Sequence, residues 1–367
     1  LLYVTIFLSC VILKSIISTS IIRKEEPHMY LLPRPQEMLL QDNVFYVDYT
    51  AEICIDPEAS PEWLHYASLL QKEIEQDTGF HLNINRNLPV FQTPSILLKS
   101  TSGHSQQEYT LRIRESGILL TASSNSGMLY AIQTLRQIIR QEGACLPGLD
   151  IHDFPVISNR GLYYDVTRSR IPTLSYLKKM ADTLSFYKIN QLHLYIEHTY
   201  MFRNLSEVWR DDTPLTSSDI LELDRYCADL GIELVPSIAS FGHLYKILRT
   251  KSFRHLCERE DLCEEPFGFI DRMEHHTIDV SNEESFSFIW SLIEEYLPLF
   301  RSDKFNICGD ETFDLGTGKS HELAEREGTQ QLYIQYIKKL CDALVTHGKT
   351  PMFWGDIVCK SPEVLSV

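Results

Sequence analysis

After Pro155, short apolar runs alternate with longer stretches in which apolar residues recur every three or four positions. The short runs predict strands, and the 3.6-residue period of the longer stretches predicts amphipathic helices. The predicted strands are Gly161–Val166, Gln191–Glu197, Ile232–Ile238, Lys304–Cys308 and Pro351–Trp354. The predicted helices are Pro172–Tyr187, Ser218–Leu230, Glu284–Leu297 and Gln330–Thr346. Strands and helices that alternate in this way form a parallel sheet with helical crossovers.

This alternation favours a (β/α)8 barrel of the TIM type over a doubly wound sheet, because no G-x-G-x-x-G sequence follows the first strand. A complete barrel needs eight βα units, and five strands are recognisable before the chain stops at Val367. We therefore expect an α/β fold whose TIM-type barrel is incomplete at the C-terminus.

Residues 29–153 have a pattern in which predicted strands and predicted helices are mixed. Short β-rich runs predict strands at Val44–Val47, Ser95–Leu98, Tyr109–Ile113 and Gly117–Ala122, the last two forming a hairpin across Arg114–Ser116. Helical periods cover Glu62–Gln76 and Ser126–Gln141. We expect a small α+β domain over residues 29–153, followed by the partial barrel over residues 154–367.

Residues 1–28 are expected to be a leader or a misassigned segment. Leu1–Ile22 is largely apolar and is followed by Arg23 and Lys24, whereas a secretory signal has its positive charge before the apolar run. The chain begins with Leu, and Met29 opens a stretch that resembles the start of a domain. Whether residues 1–22 anchor the chain in a membrane or lead to its secretion stays open.

The amino-acid composition indicates the class of protein and the kinds of partner that it can bind. Of the 367 residues, 44% are hydrophobic and 23% are charged, as is usual for a soluble globular protein. The net charge of −16 disfavours a phosphate backbone, so no nucleic acid is expected as a partner. The nine cysteines are scattered and form no C-x-x-C pair, which indicates free thiols and favours a cytoplasmic location.

Polar residues gather directly after the predicted barrel strands, which is where TIM barrels carry their active sites. They are Asp165, Arg168, Glu197, His198, Ser240, Gly242, His243, Asp310, Glu311, Trp354 and Asp356.

The sharpest feature is the acidic pair after the fourth strand. Gly309 allows the backbone to turn, so that the carboxylates of Asp310 and Glu311 can both face the barrel mouth. Side by side, they are badly placed to flank one bond as acid and nucleophile. One can instead donate a proton to a leaving oxygen while the other orients a group of the substrate. The plain alternative is a pair of solvated loop residues.

These residues lie in segments that resemble glycoside hydrolase family 20, the β-N-acetylhexosaminidases. Asn159–Arg168 looks like the first barrel strand of the family, and Trp354 falls where a pocket tryptophan is expected. Phe241–His243, Ile278–Asn282 and Cys308–Glu311 follow in the family's order. Residues 29–153, which include Gln133–Arg136, are similar to the α/β domain that precedes the barrel in this family.

The resemblance implies substrate-assisted, retaining hydrolysis of terminal β-linked N-acetylglucosamine or N-acetylgalactosamine without a cofactor. It implies that Glu311 is the general acid and then the base, and that Asp310 binds the N–H of the 2-acetamido group. It also implies that Arg160 binds sugar hydroxyls and that Trp354 forms an apolar wall. His243 is a further candidate for a contact with the substrate near the acid. The family's other pocket residues come from the last three strands, so we expect an incomplete pocket.

Structural roles stay open for three of these residues. Arg160 can tie the first barrel strand to the smaller domain, His243 can be a core histidine, and Trp354 can plug the barrel.

No H-x-H or H-E-x-x-H sequence is present, so no catalytic metal is expected. Two alternatives to the exo-acting enzyme remain, namely a non-catalytic glycan-binding or inactive fragment and a barrel hydrolase with an endo-acting groove.

Overall fold

The computed structural model describes residues 29–89, 94–357 and 359. The expected leader, residues 1–28, lies outside them. The described strands form two sheets, one of seven strands and one of five. Each sheet has its own cluster of buried apolar side chains.

The first sheet and its two helices are formed by the N-terminal part of the chain. Its strands are β1 (Glu37–Tyr46), β2 (Glu52–Ile55), β3 (Asn83–Asn85), β4 (Ser95–Ser100), β5 (Tyr109–Arg114), β6 (Gly117–Ala122) and β7 (Cys145–Asp153). They lie in the order β1-β7-β5-β6-β4-β2-β3. Helices α1 (Trp63–Thr78) and α2 (Asn125–Glu142) contribute to the same apolar cluster.

The four strands and two helices predicted here are confirmed, and the β5–β6 hairpin turns at the predicted place, with Arg114 opposite Gly117. Strands β2, β3 and β7 were not predicted. The first two are only four and three residues long, and Pro147 and Gly148 interrupt the pattern of β7. Short strands of this kind gain their stability from neighbouring strands, so they leave a weak local pattern.

The second sheet is the predicted partial barrel. Strands β8 (Gly161–Asp165), β9 (Gln191–Ile196), β10 (Glu233–Ile238), β11 (Lys304–Asn306) and β12 (Thr350–Met352) are all parallel and lie side by side in chain order. The helices that connect them are α3 (Leu174–Phe186), α4 (Ser206–Trp209), α5 (Ser217–Asp229), α6 (Tyr245–Leu248), α7 (Glu283–Tyr296), α8 (His321–Glu327) and α9 (Thr329–Thr346). The predicted strand–helix alternation is confirmed.

This sheet curls strongly. A flat sheet would place β8 and β12 about 19 Å apart, since neighbouring strands are about 4.8 Å apart. The ring of Trp354, just after β12, nevertheless lies 4.8 Å from the ring of Tyr163 in β8, measured between centroids. The carboxyl ends of all five strands therefore surround a common space, as in a barrel. Within the described residues the sheet is open between β8 and β12.

A buried ion pair joins the two parts of the molecule. The ammonium of Lys188, after α3, lies 3.0 Å from the carboxylate of Asp153 in β7 and 2.9 Å from the hydroxyl of Tyr109 in β5. Burial lowers the pKa of Lys188, while the Asp153 carboxylate opposes this change. Because breaking a buried pair leaves an uncompensated charge, this contact holds the two sheets in one arrangement.

None of the helices in the described ranges is long and apolar enough to cross a bilayer.

Candidate active site

The loops after β10 and β11 bring three titratable side chains together. Nε2 of His243 lies 3.3 Å from a carboxylate oxygen of Asp310 and 3.4 Å from one of Glu311. The His243 side chain is only 3% exposed, whereas those of Asp310 and Glu311 are 24% and 40% exposed. The acidic pair therefore faces the space at the strand ends, and the buried imidazole of His243 lies beneath the two carboxylates.

The backbone at this point adopts conformations that ordinary residues rarely use. His243, Cys308 and Glu311 have φ angles of 60°, 60° and 48°, and Gly309 has a φ of 81°. A positive φ costs free energy for a residue with a side chain, and such residues gather at functional sites. The turn expected at Gly309 is present, and it directs both neighbouring carboxylates to the same side.

The two loops touch through their backbones. A methyl group built on Gly242 would lie 2.8 Å from the carbonyl oxygen of Asp310 and 3.3 Å from that of Glu311. Carbon and oxygen atoms do not approach so closely without a shift. Glycine at position 242 therefore allows the loop that carries His243 to lie directly against the acidic pair.

Two polar atoms of the site are buried without a hydrogen-bond partner among the described residues, Oδ1 of Asp310 and Nε2 of His243. Buried polar atoms are usually paired, because leaving them unpaired costs about 1–3 kcal/mol. Nε2 of His243 faces the two carboxylates, whereas Oδ1 of Asp310 can accept a hydrogen bond from a polar group of a ligand.

His243, Asp310 and Glu311 also form the one cluster, within the described part of the chain, that could hold a metal ion. One ligand atom from each lies within 4.8 Å of the others. An imidazole and two carboxylates are a ligand set that zinc accepts. The same three groups can also perform acid–base chemistry directly.

A second polar cluster lies at the ends of β8 and β9. Arg168 pairs with Asp165 at 3.0 Å and with the buried carboxylate of Glu197 at 3.3 Å. The hydroxyl of Tyr195 donates a hydrogen bond of 2.9 Å to Glu197. Burial raises the pKa of Glu197, and the charges of Arg168 and then His243 oppose the increase. Tyr163 lies between this cluster and the acidic pair, because its ring is 5.9 Å from that of Tyr195 and its hydroxyl is 3.5 Å from the sulfur of Cys308.

His198 follows Glu197 and is also buried. Burial, followed by the charge of Lys246, lowers the pKa of His198 to about 4. Its ring is therefore neutral in the folded protein at pH values above about 5.

The placement of Arg160 differs from the prediction. Arg160 precedes β8, at the end of the sheet opposite to the acidic pair. Its guanidinium donates hydrogen bonds to the Lys188 carbonyl, the Tyr130 hydroxyl, the Gln107 side chain and the carbonyls of Ile157 and Ser158. Arg160 is therefore badly placed to contact sugar hydroxyls at the acidic pair, which corrects the prediction made from the sequence. This residue ties the first barrel strand to the N-terminal part of the chain, and all three guanidinium nitrogens donate to groups of the protein itself.

Arg168 and Glu197 were noticed in the sequence only as polar residues at strand ends. Asp165 fixes the turn that carries Arg168. Its Oδ1 accepts hydrogen bonds from the backbone N–H groups of Thr167 and Arg168. This turn directs the Arg168 side chain back over the strand ends. An Asp three residues before an Arg at a strand end is the sequence signal that could have favoured Arg168 over Arg160.

Trp354 lies at the same end of the sheet as the acidic pair. Its backbone N–H donates to the carbonyl of Cys308, 2.9 Å away, and its ring meets that of Tyr163 edge to face. The indole is partly exposed. Trp354 can therefore offer an apolar surface beside the two carboxylates.

Comparison with known families finds two matches that together cover most of the chain. The family model "Glycosyl hydrolase family 20, domain 2" matches residues 28–154. The model "Glycosyl hydrolase family 20, catalytic domain" matches residues 158–366. The second match alone covers more than half of the chain.

Two curated relatives are named beta-hexosaminidase. The protein from Porphyromonas gingivalis is 24% identical over 365 residues, which cover 89% of this chain and 45% of the relative. The protein from Akkermansia muciniphila is 26% identical over 341 residues, with 83% and 62% coverage. The chain thus spans roughly half the length of these relatives.

Solved structures support the fold. The GH20 β-N-acetylhexosaminidase from Streptomyces coelicolor A3(2) superposes with a TM-score of 0.76 at 21% identity, covering 91% of this chain and 67% of that one. A GH20 exo-β-N-acetylglucosaminidase from Vibrio harveyi, solved in complex with N-acetylglucosamine, gives 0.74 at 22% identity, covering 88% and 54%. The predicted fold class, a TIM-type α/β barrel preceded by a small α+β domain, is confirmed.

Proposed function

The chain belongs to glycosyl hydrolase family 20, and from its site we propose that it hydrolyses terminal β-linked N-acetylhexosamine from the non-reducing ends of glycans. The mechanism we propose is retaining and substrate-assisted. N-acetylglucosamine and N-acetylgalactosamine are the candidate sugars.

One observation carries this proposal, the packing of two consecutive carboxylates against the same imidazole nitrogen. Oxygens of Asp310 and Glu311 lie within 4.8 Å of each other and of Nε2 of His243. In the usual retaining mechanism, the acid and the nucleophile flank the scissile bond from two sides. Carboxylates on the same side cannot do this, so the nucleophile has to come from the substrate. A 2-acetamido group supplies one through its carbonyl oxygen.

The two carboxylates then have separate tasks. Glu311, the more exposed, donates a proton to the oxygen of the leaving group as the glycosidic bond breaks. Asp310 accepts a hydrogen bond from the acetamido N–H, so that the acetamido carbonyl oxygen is held against the anomeric carbon. The oxazolinium ion that forms is positively charged, and the Asp310 carboxylate stabilises it. Water assisted by Glu311, now a base, opens this intermediate with a second inversion.

The surrounding residues supply binding. Arg168, held by Asp165 and Glu197, has a fork of donors suited to sugar hydroxyls. Trp354 offers an apolar face to the sugar ring and the acetamido methyl. His243 lies against both carboxylates and helps to fix their positions.

The decisive experiment measures release of nitrophenol from an aryl β-N-acetylglucosaminide by the 367-residue chain and by its Glu311→Gln variant. We expect turnover by the chain and a loss of at least about 100-fold in kcat for the variant, because general acid catalysis contributes about that much. The β-glucoside, which lacks the acetamido group, should not be cleaved. The cleavage of this glucoside at a similar rate would contradict the substrate-assisted mechanism.

The alternative of a non-catalytic glycan-binding chain predicts a different result. Such a chain would bind N-acetylglucosamine but release no nitrophenol. The intact set of Asp310, Glu311 and His243 favours the enzyme over this alternative. An endo-acting enzyme would release fragments longer than one sugar from a chitin oligomer, whereas we expect single sugars.

A further inference from the structure

Two tyrosines of helix α9 lie one turn apart and contact the two loops of the active site. The hydroxyl of Tyr333 donates a hydrogen bond of 3.0 Å to the carbonyl of Gly309. The hydroxyl of Tyr336 donates one of 3.1 Å to the carbonyl of Ser240. We call residues 308–311 the carboxylate loop and residues 240–243 the histidine loop. Each tyrosine thus holds one of these loops by its backbone.

The tyrosine rings are held in place by Phe241 of the histidine loop. Its ring is parallel to that of Tyr333 at 5.6 Å and lies 4.5 Å from that of Tyr336, measured between centroids. All three side chains are buried. Because the rings are buried and packed against Phe241, their packing restricts where the two hydroxyls can lie.

The carboxylate loop has the same helix beneath it. A methyl group built on Gly309 would lie 2.8 Å from Cδ1 of Ile337 and 3.4 Å from the hydroxyl of Tyr333. The peptide at Gly309 is therefore in direct contact with α9. Because Asp310 and Glu311 follow this peptide, its orientation decides where both carboxylates lie.

The carboxylates themselves have little other support from the protein. Among the described residues, the ionic partner within 4 Å of either one is His243, which belongs to the other loop. The geometry of the acid–base group thus depends on how the two loops are held relative to each other, and α9 contacts both.

We propose that Tyr333 and Tyr336 are positioning residues for the reaction. They fix the carbonyls of Gly309 and Ser240, and so hold the carboxylate loop and the histidine loop in the register that places Glu311 and Asp310 against His243. Neither tyrosine touches the substrate. This inference rests on the proposed function, which it deepens by assigning the positioning of the catalytic groups to one helix.

The test compares Tyr333→Phe and Tyr336→Phe with Tyr296→Phe in the full chain. Each change removes one hydroxyl and keeps the ring. Tyr296 is a matched control, because it is fully buried in the same apolar cluster, lies on α7 and has a hydroxyl without a hydrogen-bond partner. Loss of that hydroxyl should leave both loops unchanged.

We expect Tyr333→Phe to lower kcat for an aryl β-N-acetylglucosaminide about tenfold, with KM changed less than about twofold, because misplaced catalytic groups act on the transition state. Tyr336→Phe should give a smaller effect in the same direction. A wild-type kcat in Tyr333→Phe would overturn the proposal.

A second measurement does not depend on turnover. Hydrogen–deuterium exchange of peptides covering residues 308–312 and 240–244 should be faster in Tyr333→Phe and Tyr336→Phe respectively, and unchanged in Tyr296→Phe. If the wild-type chain releases no nitrophenol, the proposed function fails, but this exchange still decides whether α9 holds the loops. Equal exchange in all variants would overturn the positioning role.

Discussion

At the scale of single residues, the position that suits the sugar-binding role predicted for Arg160 is occupied by Arg168, at the other end of β8. Arg160 and Arg168 flank the same strand, so they lie at its opposite ends. The functional end of a parallel barrel is the carboxyl end of its strands, and Arg168 lies there beside Glu197. Arg160 uses its donors on the protein itself, between the two sheets.

This difference predicts opposite effects for two matched variants. Arg160→Met removes hydrogen bonds to part-buried groups and should lower the free energy of unfolding by about 2–4 kcal/mol, with kcat/KM of the folded protein nearly unchanged. Arg168→Met should lower kcat/KM about 10- to 100-fold through the loss of charge-assisted donors. Urea unfolding and nitrophenol release measure the two effects. A loss of activity confined to Arg160→Met would restore the sequence-based prediction.

At the scale of elements, the active site is built from the contact between two loops, and Gly242 is where they meet. A Cβ at this position would lie 2.8 Å from the carbonyl oxygen of Asp310. An ordinary contact needs at least about half an ångström more, so the carboxylate loop would have to move. Displacements of this size matter, because a 1 Å error in the position of catalytic groups can cost about 100-fold in rate.

We therefore expect Gly242→Ala to lower kcat about 10- to 100-fold while the protein remains folded. Gly161→Ala is the control, because a Cβ there would lie 3.4 Å from its nearest neighbour, an ordinary contact, at the other end of the sheet. Its kcat should stay within about twofold of the wild-type value. Steady-state kinetics and circular dichroism of both variants test this, and equal kcat values for the two would contradict the role of the loop contact.

At the scale of the whole molecule, buried histidines link stability to pH. His276 is buried beside Tyr245 and Phe267. Burial lowers its pKa to about 4, from an ordinary value of 6.5. Between these two values the unfolded chain binds the proton and the folded protein does not. Stability therefore falls as the pH decreases from about 6.5 to about 4.

His276→Gln removes this linkage. The stability of the variant relative to wild type should improve as the pH falls from 7 to 4.5, by a total on the order of 2–3 kcal/mol. Urea unfolding at pH 7, 5.5 and 4.5 measures the difference between the two proteins. A difference that stays constant over this range would mean that His276 does not titrate as expected.

The sequence by itself determined most of the elements and the position of the acidic pair. Short apolar runs identified the five parallel strands, and a period of 3.6 residues identified four of the connecting helices, because the apolar residues of each element lie within a short stretch of the chain. The acidic pair after the fourth strand was visible for the same reason, since Asp310, Glu311 and Gly309 are neighbours in the chain. The short strands β2 and β3 were missed, because their pairing partners lie elsewhere in the chain.

Only the tertiary structure decided which residues meet. His243 is far from Glu311 in the chain, and its contact with the acidic pair depends on the curl of the sheet and on a loop contact that glycine permits. The choice of Arg168 over Arg160 follows from which end of a strand faces the site. The hydroxyls of Tyr333 and Tyr336 reach the loops because α9 packs beneath them. Contacts between distant segments follow from packing, and packing leaves no periodic mark in the sequence.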